Sequence, residues 1–393
     1  MTTRTPPASN AAPLLERRFL ALCGANFFFF FGVAMFHLLA RHLRALGADE
    51  AGIGAIMGCF GVASVLMIPL TGSFTGRWGR RPFVVAGYSL TAIVSFAWLL
   101  FPSLSWALAA LRALQGAAFA WTLVGSATMV VDLAPPGRLA QAIGLFGASG
   151  LVTNALGPTL AEALASRMGF AAVFAVAGAL GLIAVALLGW VPETHSAESE
   201  AVPTPILSLA LRRGPRGPLL ASLIGATGFG SVFVFLADYA PTAGVPHVSP
   251  FFLAFTAAAL AVRLFAGGLS DRVGRLRVAL PAYLVASLAV TAMAGVGATW
   301  HLVALAVVLG TSHGLYYPAL NALVLERVDA PLRGKAMALY SLSFNVGVML
   351  SSFGYGLLAK ALGYRPMYLF AGVAVLIATA MLAMDRLPEG APT

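Results

Sequence analysis

The chain has 393 residues, of which 60% are hydrophobic and only 10% charged, and its mean hydropathy is +0.89. Soluble domains carry roughly 25% charged residues, so this composition excludes an ordinary soluble enzyme and points to lipid as the main solvent. The formal charge of +10 is accounted for by membrane topology, and nucleic-acid binding is not expected.

Residues 1–18 contain Pro6, Pro7, Pro13 and the pair Arg17-Arg18 with no apolar period, and predict a disordered tail. No small-residue cleavage site follows, so the first span is expected to act as its own uncleaved insertion signal. Segments long enough to cross about 30 Å of hydrocarbon then occur at 19–41, 51–71, 82–101, 105–130, 140–165 and 171–191. The second half has them at 218–240, 250–269, 277–297, 302–325, 336–360 and 367–385. The polar stretch 192–217, with Glu193, Glu198, Pro203, Pro205 and Arg212-Arg213, reads as a linker. It joins an N-terminal six-helix bundle, 19–191, to a C-terminal one, 218–385, and residues 386–393 form a second tail.

Twelve spans put both termini on one side. The loops sharing that side hold Arg77, Arg80, Arg81, Arg138, Arg272, Arg275, Arg277, Arg333 and Lys335, whereas the other side holds only Arg41, Arg44, Arg167, Lys360 and Arg365. The positive-inside rule predicts cytoplasmic termini in a bacterial-type inner membrane. Cys23 and Cys59 should differ in depth by roughly 10 Å at 1.5 Å per residue, so no disulfide is expected.

A glycine-punctuated, arginine-rich segment separates the eighth and ninth spans: Gly267 to Arg277, GGLSDRVGRLR. Its twin is GSFTGRWGRR, Gly72 to Arg81, at an offset of 195 residues, with Gly72 over Gly267, Arg77 over Arg272, Gly79 over Gly274 and Arg80 over Arg275. Pro136 and Arg138 lie over Pro331 and Arg333 at the same offset, so one unit is used twice. The pattern resembles the cytoplasmic loop signature of the major facilitator superfamily. The resemblance implies an all-α integral membrane fold, twelve transmembrane helices in two pseudo-symmetric six-helix bundles, and transport by rocking the bundles about a central site. It also implies that Asp271 bonds to Arg272 or Arg275 and faces the positive end of the fifth helix near Arg138, closing the cytoplasmic side. The first copy departs from the pattern by placing Gly76 where the acidic residue belongs. An inward-open state is therefore expected to be favoured.

Ionisable groups inside lipid are costly and mark function. Arg112 to Gly116, RALQG, resembles the family's arginine-x-x-glutamine-glycine motif, whose arginine is associated with coupling; a snorkelling arginine is the plainer reading. Gly157-Pro158 resembles the core of the glycine-proline motif of exporters, where the helix bends and neighbours pack closely. The motif is incomplete, with Thr153, Ala161 and Glu162 where glycines are expected. Glu162 lies about 6 Å inside its span, within an arginine's reach of Arg112, and reads either as a proton-coupling group or as half of an ion pair. Asp238, His37 and Arg41 lie at a similar level and with these predict a charged outer vestibule. His313 reads as a titrating or substrate-bonding group, or as neutral packing. The proton-coupling candidates are thus Glu162, Arg112, Asp238 and His313. The cavity candidates are Asn26, Phe30, His37, Gln115, Thr122, Asn154, Tyr316, Tyr317 and Asn345. Arg263 reads as a frame residue.

There is no G-x-x-x-x-G-K-[ST] loop, no H-E-x-x-H helix and no aspartate pair, so neither a nucleotide-driven pump nor an intramembrane enzyme is expected. The expected function is secondary active transport of a small organic molecule, by proton-coupled efflux. Proton-coupled import is the alternative, and a non-transporting sensor a remote one. No metal or cofactor beyond an ion gradient, expected to be of protons, is called for, and the chain is expected to work as a monomer in the bilayer.

Overall fold

A computed structural model describes residues 16–135, 138–194, 209–329 and 332–385. Most of the two predicted tails, the linker core, Pro136, Pro331 and Arg386 lie outside the described residues.

Twelve long helices run through the described chain. The first half has α1 (Arg17–Ala45, tightened at Phe36–Leu38), α2 (Glu50–Trp78), α3 (Arg81–Leu100), α4 (Trp106–Leu133), α5 (Leu139–Met168) and α6 (Phe170–Leu188). The second has α7 (Arg213–Thr242), α8 (Ser249–Phe265), α9 (Arg275–Gly295), α10 (Thr299–Glu326), α11 (Arg333–Leu362) and α12 (Tyr364–Ala383). Ten are long and apolar enough to cross a membrane; α5, of 30 residues, and α8, of 17, complete the set. Exposed Trp106 and Trp300 at one end, and Trp78 and Trp190 at the other, place indoles at both levels where a bilayer meets water.

Every major helix pair of the first half has a counterpart in the second. Helix α4 packs on α2 and α3 as α10 packs on α8 and α9, and α6 packs on α1 and α3 as α12 packs on α7 and α9. The halves meet through α2 against α11 and α5 against α8. These crossings too exchange under the repeat.

The loop motif has a local cause. Gly79 ends α2 at φ 86° and Gly274 ends a one-turn helix, Leu269–Val273, at φ 109°, a conformation that glycine adopts without the Cβ penalty. Each glycine delivers an arginine to the end of a neighbouring helix. Arg80 Nε pairs with Asp132 at 3.0 Å, and Arg275 Nε pairs with Glu326 at 3.0 Å. Glu193, placed in the linker by its composition, accepts from the N–H groups of Arg80 and Arg81 at 2.9 and 3.0 Å and so caps α3.

Two expectations are corrected here. The eighth span ends at Phe265 and not 269, because Gly267-Gly268 interrupts it before the one-turn helix. Asp271 does pair with Arg275, one of its two expected partners, but it is exposed and not buried against the start of α5.

Candidate functional site

Between the halves lies a cavity of about 470 Å³. Its walls come from α1, α2, α4 and α5 on one side and α7, α8, α10 and α11 on the other. It is mostly aromatic and apolar. Among its polar lining residues are Asn26, His37, Arg112, Asn154, Arg263, His313, Tyr317 and Asn345, and Phe30 is among the rings.

Several of these polar groups are oriented by specific neighbours. Asn26 donates to Ser149 Oγ at 2.9 Å while its Oδ1 has no partner. His37 meets Asn154 Oδ1 at 3.3 Å and stacks flat on Phe252, 5.4 Å between centroids. Arg112 is 7% exposed, donates from Nη1 to Gln115 Oε1 at 2.9 Å, and lies over the Phe60 ring at 4.7 Å. His313 stacks between Phe229 and Tyr317, at 5.1 and 5.2 Å, with Nδ1 unpartnered. Asn345 is turned back onto its own helix, donating to Ser341 O at 2.8 Å.

Ion pairs tying the halves together gather at the arginine-poor end. Glu162, 5% exposed, spreads its carboxylate over the start of α8, accepting from Val248 N–H and Ser249 N–H at 3.0 Å each. These are the free donors at a helix N-terminus, where a negative charge is favoured. Arg41 and His247 stand beside it at 3.7 and 3.5 Å. Asp238, 4% exposed, receives Arg44 through Nε and Nη2 and also accepts from the Tyr364 hydroxyl. Arg44 reaches on to Glu50 at 2.6 Å, and Lys360 meets Asp49 at 2.8 Å. We call this set the latch.

Several sequence candidates therefore separate. Glu162 and Asp238 belong to the latch and not to the cavity, so the predicted outer vestibule is a closed seam. The arginine beside Glu162 is Arg41; Arg112 instead turns to Gln115 and the phenylalanine rings. Gln115 orients Arg112 and does not line the cavity. Thr122 is fully buried against α3, where a side chain at Gly87 would strike its Oγ1. Tyr316 packs on Tyr283 at 4.4 Å and borders a separate void of about 20 Å³ inside the second half. Gly157 sits where a side chain would collide with Ala34 of α1, and Pro158 follows it in α5. Gly72 and Gly267, with Arg77, Arg272 and the other loop residues, lie at the arginine-rich end, remote from the latch. Arg44, Glu50, Tyr364, Asp49 and Lys360 were not singled out from sequence, although Arg44 and Lys360 stood out as scarce basic residues on their side.

Comparisons with known proteins agree with this geometry. The family model described as Major Facilitator Superfamily matches residues 20–262 and again 245–393. An uncharacterized MFS-type transporter of Methanocaldococcus jannaschii is 23% identical over 350 residues, covering 86% of this chain and 89% of the relative. A bacterial homolog of the human lysosomal transporter Spinster, solved in an inward-facing and occupied conformation, superposes with a TM-score of 0.78 at 16% identity, covering 93% of this chain and 96% of that one. A mutant of the nucleoside transporter NupG gives 0.76 at 18%, over 94% and 100%. At these identities the solved structures speak for the fold alone. The family match extends through both halves, and the chain belongs to the Major Facilitator Superfamily as an integral membrane transporter.

Proposed function

We propose that the chain exports a small organic molecule across a bacterial-type cytoplasmic membrane in exchange for protons, as a monomer and without a bound cofactor. The arginine-rich end and both termini face the cytoplasm in this reading, because short loops retain Lys and Arg on that side. The observation that supports it is the pairing of a central cavity with a latch whose two buried carboxylates bridge the halves at the far end. Cargo loads from the cytoplasm, and the latch must part to release it.

A proton has a clear effect on that latch. Ionised Glu162 accepts from two N–H donors at once; protonated, one of its oxygens becomes a donor facing a donor. Acid on the outer side thus favours the outward-open form, and in this scheme re-closing restores the donors and passes the proton to the cavity, which then opens to the cytoplasm and releases it there. His37 connects the latch to the cavity, since it stacks on Phe252 of the capped helix and bonds Asn154, about 12 Å along α5 from Glu162. Proton-coupled import uses the same parts in the other order, and the residues at Ala161 and Glu162 that break the exporter motif favour it.

The test is untargeted metabolite profiling of cells with and without the protein. Compounds retained in the cytosol of the deleted strain support export; compounds left unconsumed in the medium make the protein an importer.

A further inference from the structure

Resting on the transport reading, we infer that the cargo is an amphipathic organic monoanion, a carboxylate on an aromatic or comparably apolar body, bound by Arg112 after passing Arg263. The basic side chains lining the cavity are Arg112, Arg263, His37 and His313, and none of its described lining residues is a carboxylate. The carboxylates of the flanking helices are committed elsewhere. Glu162 and Asp238 serve the latch, Asp132 holds Arg80, and Glu326 holds Arg275.

Arg112 is built to hold an anion. It is 7% exposed, and of its five N–H donors one of the two at Nη1 goes to Gln115, while Nε has no partner. Burying a charge without a counter-charge is unfavourable, and contacts with the Phe60 and Phe36 rings at 4.7 and 5.9 Å offset only part of that cost. A guest carboxylate supplies the missing counter-charge, and the guanidinium fork matches its planar pair of oxygens.

The two arginines stand at different depths. Arg112 is about 9 Å along α4 from the latch end and Arg263 about 21 Å along α8 from the same end. Arg263 therefore lies near the arginine-rich mouth, where it draws an anion inward, and Arg112 lies near the closed floor. The wall between is ring-rich, including Phe30, Phe119, Phe229 and Phe344. An inorganic anion leaves those faces unfilled, and an amine is repelled by both guanidinium groups. The volume of about 470 Å³ falls in the range of roughly 300–1,000 Å³ that holds small organic ligands.

Three probes with one frame decide the matter: 1-naphthoate, its neutral amide, and 1-naphthylmethylamine, titrated into the purified full chain in nanodiscs. Naphthoate is expected to bind saturably, with affinity lost about tenfold or more in Arg112→Gln. Arg263→Gln is expected to slow association, most at low salt. If Arg112→Gln fails to fold, Arg263→Gln and the probe series carry the test. Amine or amide binding as tightly as naphthoate overturns the proposal, as does absence of saturable naphthoate binding up to about 10 mM. Counterflow in proteoliposomes separates the two readings. Bound naphthoate without flux keeps the anion site and removes transport; amine flux without naphthoate flux keeps transport and removes the anion site.

Discussion

Arg44 and Asp238 join the two halves through a forked contact, Nε to Oδ1 at 3.0 Å and Nη2 to Oδ2 at 2.8 Å, with Asp238 nearly fully buried. One residue ends α1 and the other lies in α7, so the contact exists only while the arginine-poor end is shut. Asp238→Asn keeps the shape and removes the charge. Because Arg44 retains Glu50 at 2.6 Å, the loss should fall below the 3–5 kcal/mol of a stranded buried charge. A shift of about tenfold toward the open form is expected, roughly 1.4 kcal/mol. Spin-label distances between loops 46–49 and 243–247 check it; an unchanged closed distribution would remove Asp238 from the latch.

Glu162→Gln tests the proton step. The amide still accepts one N–H through its carbonyl, but its NH2 group then faces the second N–H at the start of α8. Proton-driven flux should be lost while cargo binding and counterflow stay measurable. Uphill transport at an unchanged rate and pH dependence would leave Glu162 with only a structural role.

The α2–α11 seam offers a steric test. A side chain on Gly54 would collide with Ser352 O and with Gly356 of the opposite half, whereas one on Gly116 would collide with Phe60 O inside its own half. Overpacking costs typically 1–3 kcal/mol. Gly54→Val should therefore pry the arginine-poor end open with little loss of thermal stability, and Gly116→Val should lower the Tm with little change in the state distribution. Matching effects of the two variants on both readouts would mean that the seam is not a moving interface.

The helices and the repeat were legible because lipid demands long apolar runs and because the loop glycines fill a backbone need that Gly79 and Gly274 share. The azimuth of side chains was not. Helical rise placed Glu162, Arg112 and Arg41 at similar heights, yet height says nothing of direction, and helices apolar all round carry no stripe to fix their rotation. Hence sequence alone puts Thr122 and Tyr316 in the cavity although they face α3 and α9, and sets Arg112 beside Glu162. Arg44 escaped notice for a related reason: its partner is remote in sequence, and from sequence a basic residue in a short turn looks solvated.

The Asp49–Lys360 contact separates charge from proton sensing. Lys360, and after it the Gly52 N–H, hold the Asp49 carboxyl below the usual carboxylate range. A lowered value means that its contribution to closure is fully present above its ordinary value of about 3.9 and is lost only as pH falls through the depressed one. Asp49 therefore stays ionised in open and closed forms throughout neutral and mildly acidic pH. Asp49→Asn should weaken closure less than Asp238→Asn, since the pair is exposed, and the effect should fade as salt screens it. The pH profile of opening should remain that of the parent chain if, as proposed above, the proton acts at Glu162. Loss of acid-induced opening in Asp49→Asn, read by the same label distances, would move the proton-sensitive contact from Glu162 to this outer pair.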